Sequence, residues 1–200
     1  TNKSRINIIK QFSNMCISMI EGQYLDINFE TQQIISMNDY KNMIIKKTGA
    51  LMTLAFQLPG ILSGQNEQSI KQLQKLGIIF GILFQISDDL LGIWGNPIKT
   101  GKSNYSDFKN NKKTYPILLS MKKFEEKDKI LFNNLLSNLN NESYLLIIDI
   151  LEKYKIKSTI QKECNSYLDQ AIELITKSQL TKKCKTNIVE LFKYVIERTK

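Results

Sequence analysis

The chain has 200 residues, 42% of them hydrophobic and 24% charged, a composition typical of one globular domain with a sizeable core. Its formal net charge of +9 indicates an anionic partner. However, the lysines are spread along the whole chain and no basic-aromatic array is present, which argues against a nucleic-acid-binding protein. Three cysteines without CxxC spacing argue against both a disulfide framework and a zinc site.

Apolar residues recur at helical spacing through most of the sequence, which contains only three prolines and nine glycines. This pattern predicts an all-α fold in which residues 1–200 form a single domain without a linker or an internal repeat. No signal peptide and no transmembrane segment are predicted, and the unpaired cysteines fit a reducing compartment, so we expect a cytoplasmic protein.

The first predicted helix begins at once, without a preceding cap, which suggests that the sequence is a fragment or a trimmed chain. The apolar residues that recur at helical spacing in it are Ile6, Ile9, Phe12, Met15, Cys16, Met19 and Ile20. Further along, Gln23 and Asp26 lie three positions apart on one helix face, beside Gly22. Spacing alone favours a hydrogen-bonded pair on the surface.

A second helix is predicted over residues 40–58, after a capping cluster at residues 36–39. Lys47 and Thr48 lie within it, flanked by apolar residues. A lysine in an apolar helix must extend to solvent or bind an anion. The sequence leaves open whether Lys46 or Lys47 points inward. Pro59-Gly60 is predicted to end this helix.

The central predicted helix contains a ten-residue, mostly apolar run at 77–86, too short to span a bilayer and typical of a core helix. Gln85, Asp88, Asp89 and Gly92 follow at offsets of three and four, so they share one face. Carboxylates at the end of a buried helix need a partner, and Mg²⁺ is usually held by one or two carboxylates plus substrate phosphates. The alternative is an acidic pair on a solvated surface.

The segment after this helix is polar and basic. Its charged residues are Lys99, Lys102, Asp107, Lys109, Lys112 and Lys113. Lysines that follow paired carboxylates are suited to a Mg²⁺-bound diphosphate, because ammonium groups can meet the oxygens that the metal leaves free. A basic loop alone is usually a solvated turn, so the prediction depends on the conjunction with Asp88 and Asp89.

Residues 84–119 read FQISDDLLGIWGNPIKTGKSNYSDFKNNKKTYPILL. This stretch resembles the second aspartate-rich region of the trans-isoprenyl diphosphate synthases, the polyprenyl synthetase family. The shared features are the Phe-Gln before the acidic pair, the later Gly-Lys and Ser-Asp, and the Lys-Lys-Thr followed by proline. Two positions depart from the commonest pattern, Gly92 at the fifth residue of the DDxxD box and Asn96 after Trp94-Gly95.

The resemblance implies an isoprenoid-synthase-type helical bundle around a central cavity, and a Mg²⁺-dependent enzyme. It would condense isopentenyl diphosphate with an allylic prenyl diphosphate, and it would form a homodimer with the first helix near the interface. The implied roles are catalysis for Lys47, Thr48 and Gln85; Mg²⁺ binding for Asp88 and Asp89; diphosphate binding for Lys47, Lys102 and Lys112; and a cavity or supporting role for Gln23, Asp26, Phe84 and Asp107. The sequence contains no histidine, which fits a family in which the departing diphosphate serves as the base.

One feature of that family has no counterpart here, the first aspartate-rich motif on an earlier helix. The resemblance therefore implies the C-terminal two-thirds or so of a family member, without its N-terminal helices and inactive alone. A non-catalytic partner subunit of a heteromeric synthase is the alternative, and a terpene cyclase on the same fold is a more distant one. The lysine motifs argue against a cyclase.

Beyond Pro116, core-packing helices are predicted at residues 117–123, 127–139, 144–154, 156–175 and 181–197. The closing YVIERTK resembles the C-terminal end of the family, which implies that Arg198 and Lys200 are candidates for reaching the isopentenyl diphosphate. Their alternative interpretation is that they are solvated terminal charges.

Overall fold

The computed structural model describes residues 2–32, 34–95, 108 and 112–198. Every regular element within these residues is helical, which confirms the predicted all-α class. The elements are α1 (Asn2–Thr31), α2 (Met37–Ile44), a π-helical segment (Ile45–Gly49), α3 (Ala50–Leu62), α4 (Glu67–Trp94), α5 (Tyr115–Lys123), α6 (Glu126–Ser137), α7 (Asn141–Lys153), α8 (Ile156–Lys177) and α9 (Lys182–Glu197).

Helix α4 forms the centre of the bundle. It starts at a cap, where the Asn66 side chain accepts a hydrogen bond from the Ser69 backbone N–H at 2.9 Å. Helices α2, α3, α5, α8 and α9 and the π-helical segment all pack against it. Its side chains at Leu76, Leu83 and Ile86 are fully buried. No residue from 76 to 94 is exposed, so this part of α4 is stable only when other helices cover it.

By length and composition, α4 could cross a membrane, since one 18-residue window has a mean hydropathy of 1.7. This window is longer than the ten-residue run from which the sequence predicted a core helix. In the fold, 61% of the window is buried. The core helix of a soluble protein passes the same test of length and hydropathy, so this is weak evidence for a membrane span. The predicted absence of a membrane-spanning segment remains a prediction.

Residues 37–62 form one continuous helical rod in which a π-helical turn separates α2 from α3. The prediction that Pro59-Gly60 ends the helix is wrong, because α3 runs through Pro59 to Leu62. Proline removes one N–H, but the carbonyl of Pro59 still accepts a hydrogen bond from the Ser63 N–H at 3.0 Å. The rod ends at Gly64, whose φ of 71° is the left-handed conformation that terminates helices.

Three glycines allow the backbones near the rod to approach closely. A Cβ on Gly22 of α1 would lie 2.3 Å from the backbone nitrogen of Lys47. On α4, a Cβ on Gly77 would lie 2.5 Å from the Thr53 Cα, and one on Gly81 would lie 2.5 Å from the Gly49 Cα. These distances are shorter than the non-bonded contacts that a Cβ atom makes with other backbone atoms, so only glycine fits at the three positions. Both α1 and α4 thus rest directly on the rod.

Helix α1 is apolar on two opposite sides. One side is buried, through Met15, Gly22 and Phe29 at intervals of seven residues. The other side, here called the apolar stripe, is exposed to between 56% and 70%. The apolar stripe consists of Ile6, Ile9, Phe12, Ile17, Ile20, Tyr24 and Ile27. Among the described residues, nothing covers this side of the helix.

The helices after Pro116 lie close to their predicted positions. The main difference is α7, which begins at Asn141 and not at the predicted residue 144. Its start is set by a reciprocal capping box: the Ser143 N–H donates to Asn140 Oδ1 at 2.9 Å, and the Asn140 N–H donates to Ser143 Oγ at 2.8 Å. Polar residues therefore extend the helix beyond its apolar pattern.

The close approach at Gly81 can be tested by adding one methyl group. We expect Gly81→Ala to lower the free energy of unfolding by about 1–3 kcal/mol, because a backbone must move to admit the Cβ. Gly49→Ala is the matched control, since the nearest atom to its added Cβ is 3.6 Å away, and we expect equal or higher stability there. Urea titrations followed by circular dichroism measure both. Equal stability of the two variants would contradict this account of the packing.

Candidate functional site

A buried carboxylate, Asp89, lies at the centre of the polar residues on α4. It is 5% exposed, and its Oδ2 accepts hydrogen bonds from Tyr40 OH at 2.6 Å and from the Tyr115 backbone N–H at 2.8 Å. Its Oδ1 accepts from Gln85 Nε2 at 3.1 Å. Burial, followed by the charge of Asp89, raises the pKa of Tyr40 well above its ordinary value, so the phenol remains a donor. These three donors fix the orientation of Asp89.

The neighbouring carboxylate, Asp88, has a different environment. It is half-buried and lines a small polar cavity. Within the described ranges of the chain, no hydrogen bond or ion pair to Asp88 is found. Asp88 is thus a cavity-lining carboxylate available to a cation, whereas the oxygens of Asp89 already accept hydrogen bonds from the protein.

The cavity has a volume of about 40 Å³. Side chains from α1, the rod, α4 and the start of α5 surround it. The lining residues are Asp26, Tyr40, Met43, Lys47, Gln85, Asp88, Asp89, Lys112, Lys113 and Thr114. This volume holds a few water molecules or a small cation, so a larger anion would have to bind at the mouth.

The π-helical segment places Lys47 in the cavity wall, whereas Thr48 does not line the cavity and is connected to it through Gln85. Lys47 Nζ donates to Asp26 Oδ2 at 2.5 Å, whereas Lys46 Nζ pairs with Glu21 at 2.9 Å on the surface. Lys47 therefore lines the cavity and Lys46 does not, a choice that the sequence left open. Short π-helical turns are frequent at functional sites, because they reorient side chains within a helix.

Thr48 continues the hydrogen-bond chain that begins at Asp89. Its Oγ1 donates to Gln85 Oε1 at 2.9 Å, and Gln85 Nε2 in turn donates to Asp89. The direction of donation is fixed, because the carboxylate can only accept. The lone pairs of Thr48 Oγ1 therefore remain free to face positive charge.

The segment directly before α5 supplies the basic side of the cavity, through Lys112, Lys113 and Thr114. Burial lowers the pKa of Lys113 below its ordinary value. The hydroxyl oxygen of Thr114 is buried and has no hydrogen-bond partner. A buried hydroxyl beside lysines at a cavity is suited to an anion as its partner.

Some residues predicted for the site lie elsewhere. Gln23 is exposed on α1 and does not line the cavity. Phe84 packs against Phe80, with ring centroids 6.4 Å apart, and the guanidinium of Arg198 lies over its face at 4.8 Å. Nε and Nη2 of Arg198 are buried and have no hydrogen-bond partner. Lys102 and Asp107 lie outside the described residues, as do Asn96, Lys99, Lys109 and Lys200.

Sequence reasoning missed Tyr40 and Tyr115, which hold Asp89, and Glu163, to which the Tyr115 hydroxyl donates. Tyr115 was recognisable as the residue after Lys-Lys-Thr, but Tyr40 lies 49 positions from Asp89, and no local pattern connects them. Glu163 lies on α8, a helix that the sequence assigned to plain core packing.

The donor set at this site fits Mg²⁺ only together with a phosphate-bearing ligand. No group of three His, Cys, Asp or Glu side chains able to hold a metal occurs in the part of the chain that the structure describes. Asp88 offers free carboxylate oxygens, and Asp89 lies next to it in the same cavity. One or two carboxylates, with phosphates completing the coordination, are the usual ligands of Mg²⁺ in phosphate-binding enzymes.

Comparison with solved structures confirms the predicted type of helical bundle. The chain superposes on a crystal structure of geranylgeranyl pyrophosphate synthase with a TM-score of 0.89 and 25% identity, over 100% of this chain and 63% of that protein. The fold is thus shared with these all-α synthases, and about a third of the solved protein has no counterpart in this chain.

Sequence comparisons give the same result. Geranylgeranyl diphosphate synthase of Sulfolobus acidocaldarius is 28% identical over 96% of this chain and 60% of its own length. A short chain isoprenyl diphosphate synthase of Methanocaldococcus jannaschii is 33% identical over 76% of this chain and 46% of its own. The chain therefore spans about half to three-fifths of these relatives. The polyprenyl synthetase family matches residues 1–152, three-quarters of the sequence, and the chain belongs to this family.

Proposed function

We propose that this chain provides the part of a prenyltransferase active site that contains the second aspartate-rich motif. The complete enzyme would condense isopentenyl diphosphate with an allylic diphosphate into a trans-polyprenyl diphosphate. The observation that carries this proposal is Asp88, a carboxylate directed into a cavity whose other walls include Lys47 and Lys112. Carboxylate and ammonium groups facing one cavity are complementary to a cation together with a diphosphate.

Asp88 would hold Mg²⁺ directly, and Asp89 would support it from the buried side. Held there with the substrate, Mg²⁺ would neutralise the diphosphate and make it a better leaving group. Lys112, and Lys47 in exchange for its contact with Asp26, would bind the remaining diphosphate oxygens. Lys102 is proposed for the same role from the resemblance alone. Each of these groups meets negative charge that increases as the carbon–oxygen bond breaks.

Thr48 and Gln85 would face the allylic carbon. Because the Thr48 hydroxyl hydrogen is donated to Gln85, its oxygen presents lone pairs to developing positive charge without acting as a strong nucleophile. The released diphosphate would take the proton that the condensed product loses, as the family resemblance implies, and the absence of histidine is consistent with this.

Arg198 is our candidate for the second diphosphate, that of isopentenyl diphosphate. Its buried Nε and Nη2 atoms have no partner, and the planar guanidinium lies over Phe84, one residue before Gln85. A buried guanidinium without a hydrogen-bond acceptor is costly, and a diphosphate would satisfy it with paired hydrogen bonds.

We propose that the chain alone binds diphosphate but does not complete the condensation. It spans 60% of the Sulfolobus relative and 46% of the Methanocaldococcus one. The family's first aspartate-rich motif has no counterpart in this sequence. A non-catalytic partner subunit is the alternative, but such a subunit has no physical need for a carboxylate such as Asp88 directed into a lysine-lined cavity.

We propose further that a second copy of the chain covers the apolar stripe of α1. The N-terminal half of this helix carries Arg5 and Lys10, and its C-terminal half carries Glu21 and Glu30. Two such helices packed antiparallel would place basic halves against acidic halves along the whole stripe. The three unpaired cysteines, together with the family, support a reducing cytoplasm as the location.

The metal role can be tested by binding. We expect the chain to bind farnesyl thiodiphosphate only with Mg²⁺, and Asp88→Asn to weaken this binding by at least about tenfold, because a metal ligand loses its charge. Asp149→Asn, on the exposed face of α7, is the matched control and should bind normally. Isothermal titration calorimetry measures the affinities. Unaltered affinity in Asp88→Asn would remove Asp88 from the metal site.

The proposed dimer predicts a change in mass. Sedimentation equilibrium should give twice the chain mass of 23.2 kDa, and Ile20→Lys should give the monomer with unchanged helix content. Ile20 is 70% exposed, and Leu145 on α7 is 63% exposed, so Leu145→Lys adds the same charge outside the stripe and should remain dimeric. A monomeric parent chain would contradict the proposed dimer. The apolar stripe would then be covered by the part of the fold that only the longer relatives contain.

A further inference from the structure

Glu163 of α8 lies where three helices meet, outside the cavity. Its Oε1 accepts a hydrogen bond from Lys41 Nζ of α2 at 3.3 Å, and its Oε2 accepts one from the Tyr115 hydroxyl of α5. About a third of the side chain is exposed. A carboxylate that joins three helices in this way constrains their relative positions.

The same two helices that reach Glu163 also reach Asp89. In α2, Tyr40 donates to Asp89 and its neighbour Lys41 donates to Glu163. In α5, Tyr115 alone bridges both carboxylates, with its backbone N–H on Asp89 at 2.8 Å and its hydroxyl on Glu163. The rings of Tyr40 and Tyr115 pack edge to face with centroids 5.5 Å apart. Two parallel bridges therefore connect Glu163 to Asp89.

Tyr115 immediately follows three residues that line the cavity, Lys112, Lys113 and Thr114. Fixing both ends of Tyr115 fixes the first turn of α5, and with it the point from which these side chains extend. Without the hydroxyl contact, the Tyr115 backbone could shift away from Asp89, and the lysines would move with it. The position of the basic wall thus depends on a residue of a distant helix.

We infer that Glu163 is a positioning residue for the diphosphate site, acting through Tyr115 on Asp89 and on the lysines at the start of α5. This inference rests on the proposed function, because it assumes that the cavity binds a Mg²⁺-diphosphate. Glu163 touches neither metal nor substrate in this account. Its effect is to hold the ligands in place, as outer hydrogen-bond partners do in metal sites.

The chain contains a matched control for a purely structural role. Asp128 Oδ2 accepts hydrogen bonds from Tyr154 OH at 2.5 Å and from Lys153 Nζ at 2.6 Å, so it also receives one tyrosine and one lysine. This cluster joins α6 to α7 and does not contact the cavity. Loss of either carboxylate should destabilise the fold, but only Glu163 should affect the cavity.

The experiment measures two quantities for each variant, the unfolding free energy in urea and the affinity for farnesyl thiodiphosphate with Mg²⁺. We expect Glu163→Gln and Asp128→Asn both to be less stable than the parent chain. Only Glu163→Gln should also lose affinity, by about ten- to hundredfold, with binding measured below the urea transition where both variants are folded.

A double-mutant cycle then tests whether Glu163 acts through Tyr115. Tyr115→Phe keeps the backbone N–H on Asp89 and removes the hydroxyl contact entirely, whereas Glu163→Gln only weakens that contact by removing its charge, so Tyr115→Phe should lose at least as much affinity. The double variant should lose no more than Tyr115→Phe alone, because both substitutions act on the same contact. Additive losses of affinity would overturn the pathway through Tyr115.

The outcomes separate this inference from the proposed function. If the parent chain binds the analogue and Asp88→Asn does not, but Glu163→Gln binds like the parent, the positioning role is wrong and the proposed site stands. Equal losses of affinity in Glu163→Gln and Asp128→Asn would also overturn it, since general destabilisation would then explain both. A folded parent chain that binds no analogue would overturn the proposed function, and the positioning role with it.

Discussion

The fold around the site depends on one buried carboxylate. An ionised Asp89 inside a helical core is unfavourable by several kcal/mol unless hydrogen bonds replace its lost hydration. Here the donors come from three elements: Tyr40 of α2, Gln85 of α4 and the first backbone N–H of α5. The helices that carry the functional side chains are therefore held at the positions that satisfy this charge.

Steric constraints act beside this electrostatic one. Gly22, Gly77 and Gly81 remove the atoms that would separate α1 and α4 from the rod of residues 37–62. The backbone of Lys47 then lies against α1, close enough for its side chain to reach Asp26. Glycines set how closely the helices approach, and hydrogen bonds to charged groups set which side chains face the cavity. Neither effect alone would gather a lysine, an amide and two carboxylates around one small space.

Helical spacing predicted the all-α class and most helix positions, and resemblance to known synthases gathered Lys47, Gln85, Asp88 and Asp89 into one site. Hydrogen-bond partners that are distant in the sequence could not be predicted, because spacing rules relate residues only within a few helical turns. For this reason the helix of Glu163 was assigned to core packing. Pro59 was misjudged because a proline near a helix end costs one hydrogen bond, which the last turn tolerates. The choice between Lys46 and Lys47 depended on a π-helical turn that leaves no periodic signal in the sequence.

That turn has a consequence for the length of the rod. A π-helical turn holds about one residue more than an α-helical turn, so α2 and α3 differ in phase by about 100°. One end of the rod can thus present Phe56 to the rings of Phe80 and Phe192, while the other presents Tyr40 to a charge. A residue gained or lost between residues 40 and 56 would break one of these two alignments. Relatives that keep both should therefore vary in the composition of this stretch, and not in its number of residues.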